Sequence, residues 1–108
     1  MTFEDHVRAA LDSLPPDITD ALRNVAVIVQ DENPDDPDLL GLYEGVPLPE
    51  RSDHAGAPPD TITIYRRPLE CDYPDPKDLQ HEIRITVLHE IGHYFGLDEE
   101  RLAELGYE

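Results

Sequence analysis

Eleven prolines punctuate this 108-residue chain, yet none follows Pro76. Pro68, Pro74 and Pro76 forbid regular helix up to the last of them, because each lacks a backbone donor and clashes with the turn before it. Beyond that point the pattern turns helical. Asp75 suits a cap, Pro76 suits the first helical position and Gly96 supplies a stop, so the spacing predicts a helix over 76–95.

With about 100° per residue and His89 at zero, Glu82, Thr86, Glu90 and His93 fall within about 100° of it and share one side. Ile83, Val87, Leu88, Ile91, Tyr94 and Phe95 form an apolar stripe facing away. Two residues fit poorly: Arg84 lies within the stripe, and Ile85 lies near the histidines.

The polar side carries HEIGH over 89–93. Ligands at i and i+4 point the same way, so the imidazoles of His89 and His93 can reach one ion at about 2.0 to 2.1 Å. Glu90 lies to the side of that pair, where a carboxylate can hold and deprotonate a metal-activated water. A third ligand is needed. One brought from a further helix some twenty residues on has almost no room before Glu108, which leaves Asp98, Glu99 and Glu100 just after the Gly96 turn. Glu99 occupies the position that is His in the extended zinc motif and ranks first, Asp98 second and Glu100 third. The same triplet can also serve as the acidic first turn of a short helix over EERLAELG. Zinc is the expected ion, although two His and a carboxylate also suit other divalent metals.

Elsewhere, Phe3, Val7, Ala10 and Leu11 predict an amphipathic helix over 3–13 closed by Pro15 and Pro16, and a short helical turn over 16–24. The β-branched run in VAVIVQ predicts a strand over 26–31, buried on both faces and central in its sheet. The acidic stretch Asp31 to Asp38 reads as a loop. A second strand is expected over 39–45, where Gly41 signals a bulge or a close backbone approach, and a third over 61–67. Between these two lies a long polar loop, VPLPERSDHAGAPPD.

The length suits one domain, 1–108. A formal net charge of −17 argues against nucleic acid and anionic membrane as partners and favours a cationic substrate, partner or metal ion. No apolar run reaches the roughly 18 residues of a membrane span, and the amino terminus lacks a signal-peptide pattern, so a cytoplasmic protein is expected. The lone Cys71 excludes an intrachain disulfide and is expected to pack.

Three segments, LLGLYEGVPLPERS at 39–52, TITIYRRPLE at 61–70 and VLHEIGHYFGLDEERLAELGY at 87–107, resemble the minimal zincin-like metallopeptidases, a family of small bacterial proteins. The resemblance implies an α/β (α+β) fold, with a small mixed sheet packed on an N-terminal helix and a long active-site helix. It implies His89, His93 and Glu99 as zinc ligands, Glu90 as the catalytic carboxylate, and a peptide or protein substrate bound as an extended strand beside the sheet edge. The chain departs from the extended-motif peptidases in having no methionine after Met1, so their methionine turn is absent.

Two function classes follow. One is a zinc-dependent peptidase, in which Glu90 takes a proton from water and passes it to the leaving amine. The other is a metal-binding or protein-interaction module with the same fold and little turnover. An acidic interaction domain without metal is a third reading. Tyr107, Arg66, Arg67 and His54 are available to stabilise an oxyanion but read more simply as surface or packing residues.

Overall fold

A computed structural model describes residues 2–22, 25–45 and 60–104. Its elements are α1 (Phe3–Asp12), α2 (Pro16–Ala21), β1 (Val25–Gln30), β2 (Gly41–Glu44), β3 (Asp60–Tyr65), α3 (Arg66–Asp72), α4 (Pro76–Tyr94) and α5 (Glu99–Glu104). The class is α+β with a small mixed sheet, as the resemblance implies. The expected long loop, His54 and Tyr107 lie outside the described residues.

Helix α1 starts in a capping box. Thr2 Oγ1 accepts from the Asp5 N–H at 3.1 Å, and Asp5 accepts from the Thr2 N–H at 3.0 Å. Its buried residues Phe3, Val7 and Ala10, with Leu14 beyond it, pack on Leu79, Ile83, Val87 and Ile91 of α4 and on Ile62 and Ile64 of β3. The core therefore lies between the sheet and the two long helices.

The strand order is β1-β3-β2, with β1 parallel and β2 antiparallel to β3. This corrects one expectation. β3 is central and almost entirely buried, whereas β1 is an edge strand that alternates half-buried Val25, Val27 and Val29 with exposed Ala26, Ile28 and Gln30. A continuous apolar run is compatible with either place, and pairing on both sides of β3 decided between them.

A second correction concerns Pro68. β3 ends at Tyr65, and Pro68 sits inside α3 instead of preventing it. It is the third helical residue, where the backbone N–H would have no intrahelical acceptor, so its absence costs little. Another first-turn donor, the Arg67 N–H, is satisfied by the Asp31 carbonyl at 2.9 Å. Cys71 is exposed, which corrects the expectation that it packs; α3 buries Pro68 and Leu69 instead.

Helix α4 begins as read: Asp75 Oδ1 accepts from Lys77 N–H at 2.9 Å, and Pro76 opens the first turn. It ends in a Schellman turn. Gly96 N–H bonds the His93 carbonyl at 3.0 Å and Leu97 N–H bonds the Gly92 carbonyl at 2.9 Å, with Gly96 at φ 84°. That left-handed residue reverses the chain toward α5.

Candidate metal centre

Helix α5 comes back against α4 because two small residues permit it. Gly96 makes the turn, and Gly92 leaves the space that the Leu102 side chain occupies; a Cβ on Gly92 would overlap Leu102 Cδ2. Leu102 is fully buried there. Asp98 fixes the start of α5, its Oδ1 accepting from Arg101 N–H at 2.8 Å. Of the three candidate third ligands, Asp98 is thus engaged as the helix cap, and Glu99 is the carboxylate that reaches the histidines.

Glu99 Oε1 lies 2.9 Å from His93 Nε2 and 3.3 Å from His89 Nε2, and the two imidazole nitrogens are 3.2 Å apart. A tetrahedral ion bound at about 2.0 to 2.1 Å requires donors about 3.3 Å from one another. This triangle of two imidazole nitrogens and one carboxylate oxygen matches that requirement closely, so His89, His93 and Glu99 form a group that can hold a metal ion. Glu99 is itself exposed, which leaves the outer side of the triangle open to solvent.

Glu90 Oε2 stands 4.0 Å from His89 Nε2, beside the donors rather than among them. Its side chain is buried, with 7% of the residue exposed. Burial pushes its carboxyl above the usual range. The adjacent His89 and His93 oppose that rise, Glu99 adds to it, and a hydrogen bond from the Tyr43 backbone N–H opposes it.

The helical projection places Glu90 and Thr86 on a polar side, and both are in fact buried. The reason is strand β2, which lies across that side. Gly41 permits the approach: a Cβ there would stand 2.7 Å from Thr86 Cγ2 and 3.3 Å from Glu90 Cγ. Thr86 satisfies its own hydroxyl on the Glu82 carbonyl at 2.8 Å and offers its methyl group to the strand. The glycine signal in the sequence meant close approach rather than a bulge.

The same strand supplies a contact to Glu90 that sequence reasoning misses. The Leu40 carbonyl accepts from Tyr65 N–H at 3.0 Å, so antiparallel alternation turns Leu40 and Leu42 toward β3 and turns the backbone of Gly41 and Tyr43 outward. Tyr43 N–H uses that direction to hold the Glu90 carboxylate. No residue type encodes this bond, because the donor is main chain.

A cleft of about 310 Å³ opens beside the donors between α4, β2 and the loop before it, lined by Asp36, Asp38, Leu40, Glu82, His89 and Glu90 among others. The loop is shaped by Asn33, whose Oδ1 accepts from the Asp35 and Asp36 N–H groups at 2.8 and 3.0 Å. Arg66 and Arg67 do not join the site; they pair with Asp31, Glu32 and Glu70 where β1 meets α3. No helix of the described residues is long and apolar enough to cross a membrane.

A search of curated proteins finds no match. The sequence model of the family described as Zincin-like metallopeptidase matches residues 22–107, and the chain belongs to that family.

Proposed function

We propose that the protein is a zinc-dependent peptidase, with His89, His93 and Glu99 holding the ion and Glu90 acting as general base. The observation that supports this most directly is the convergence of three donor atoms within 3.3 Å of one another beside a buried carboxylate. Bound zinc would supply Lewis acidity, bringing the pKa of a water toward about 7. Glu90, held by the Tyr43 N–H, takes that water's proton and returns it to the leaving amine. Its burial favours the first half of the cycle, because a carboxylate whose pKa is raised is the stronger base toward that water.

The substrate lies extended along β2, a sheet edge whose outward backbone groups face away from β3, the Tyr43 N–H excepted because Glu90 takes it. Among the described residues Asp36, Asp38 and Glu82 line the adjoining cleft without a lysine or arginine, so basic side chains are favoured there. The test is elemental analysis of protein purified without chelator, in wild type and His93→Ala, followed by peptide hydrolysis. About one zinc per chain, lost in the histidine variant, with cleavage lost in Glu90→Gln, supports the peptidase. Zinc bound without hydrolysis of any library peptide indicates the binding module instead, and no zinc in wild type even at excess overturns both.

A further inference from the structure

Arg84, the residue that interrupts the apolar stripe of α4, lines a second cavity of about 470 Å³ on the side of the helix away from the histidines. It is built from matched faces of two helices: His6, Ala9, Ala10 and Ser13 of the α1 side, and Lys77, Gln80, His81 and Arg84 of α4. Both sets follow i, i+3, i+4, i+7, so each spans two turns. Lys77 and Arg84 mark the ends, their Cα atoms about 10 Å apart along the axis.

The charge of this groove is opposite to that of the molecule. The chain has 25 Asp and Glu, yet among the described residues no carboxylate lines the cavity, while its single lysine, an arginine and two of five histidines do. Arg66, Arg67 and Arg101 pair with carboxylates, whereas among the described residues Lys77 and Arg84, like Arg8 on α1, make no ion pair.

Arg84 is also held in place. Its Nε donates to Ser13 Oγ at 3.1 Å, and that hydroxyl donates to the Ala10 carbonyl at 2.7 Å. The two terminal amino groups of the guanidinium have no protein acceptor among the described residues. A guanidinium fixed by Nε with its outer edge uncommitted is preorganised for a carboxylate or phosphate. His6 is buried and bonded to Gln80 Oε1 at 3.0 Å, which ties the two walls together. Ala9, Ala10 and Pro76 keep the rest of the lining small and apolar.

We propose that the α1–α4 groove binds a small organic dianion, with one acidic group on Arg84, the other on Lys77 and an apolar middle over Ala9 and Ala10. The volume suits such a ligand, since small-molecule sites span about 300 to 1,000 Å³. The molecule's more distant negative charges are screened beyond about 8 Å at physiological salt, which leaves the cations lining the groove and their chain neighbours Asp12 and Asp78 as the charges a ligand meets. This site is independent of the metal centre.

The test is an amide NMR titration of the full chain with octanedioate, beside octanoate, inorganic phosphate and a tri-glutamate peptide. Octanedioate is expected to give saturable shifts at Ala9, Ala10, Gln80 and Arg84. Its affinity is expected to fall about tenfold or more in Lys77→Ala and in Arg84→Ala, as loss of a charge-assisted bond implies. Arg84→Ala also removes the tether to Ser13; Lys77 is exposed, so Lys77→Ala decides the matter if the arginine variant does not fold. Absence of saturable shifts, unchanged affinity in Lys77→Ala, or octanoate or phosphate binding as tightly as octanedioate overturns the proposal. Tighter binding of tri-glutamate assigns the groove to a polypeptide partner and overturns it as well.

Discussion

Glu90 carries two opposing demands, because the chemistry proposed for it needs a carboxylate and its position between α4 and β2 penalises one. Glu90→Gln keeps the shape and the acceptor for the Tyr43 N–H while removing the charge. Hydrolysis is expected to fall about 100-fold or more, with zinc content unchanged. The metal-free variant is expected to melt higher than metal-free wild type at neutral pH, since the buried charge is gone. Kinetics, elemental analysis and a thermal melt on the same preparation check all three. An unchanged rate sinks the general-base assignment; a lower melting temperature shows that the carboxylate makes bonds a carboxamide cannot replace.

At the scale of elements, the site depends on how α5 returns to α4. Gly92→Ala raises the intrinsic helix propensity of α4 by up to about 1 kcal/mol, yet it fills the space of Leu102. It is therefore expected to weaken zinc binding by displacing α5 and Glu99, and to do so less when Leu102→Ala has already made room. A competition titration with a chromogenic chelator across the four proteins measures that coupling, and strict additivity of the two effects counts against it. Gly96→Ala is expected to destabilise the fold by about 1 kcal/mol in urea, because an L-residue is disfavoured at φ 84°.

The junction of β1 with α3 responds to acid. Hydrogen bonds from Arg66 hold the Asp31 carboxyl below the usual aspartate range. A depressed folded pKa means that this contribution is complete above the ordinary value and is lost as pH falls through the folded one. Wild type should thus exceed Asp31→Asn in stability at neutral pH and lose that margin below about pH 4. Denaturant melts of both proteins across that range provide the check, and a margin independent of pH rules the assignment out.

For the molecule as a whole, a net charge of −17 and a cleft walled by Asp36, Asp38 and Glu82 act in the same direction. Peptides with Lys or Arg near the scissile bond are expected to be cleaved with higher kcat/KM than their Glu counterparts. The ratio should shrink as salt rises and in Asp36→Asn/Asp38→Asn. A preference that ignores ionic strength would locate the selectivity in shape instead. The groove proposed for a dianion lies across α4 from this cleft, so the two proposals together assign one strongly acidic chain two sites of opposite preference.

What the sequence determined by itself were the features set within one or two turns of chain. Pro76 and the Asp75 cap start α4, Gly96 stops it, and the spacing of His89 and His93 turns both imidazoles the same way. These follow from fixed backbone angles, local hydrogen bonds and helical period, none of which needs a distant partner. The tertiary structure decided the rest: β1 at an edge with β3 central, Asp98 spent as a cap so that Glu99 reaches the histidines, and β2 lying over Thr86 and Glu90. Arg84, discordant in the helical pattern, became intelligible only beside Ser13. Each of these rests on pairing or packing between segments far apart in the chain, where the choice among alternatives leaves no local signature.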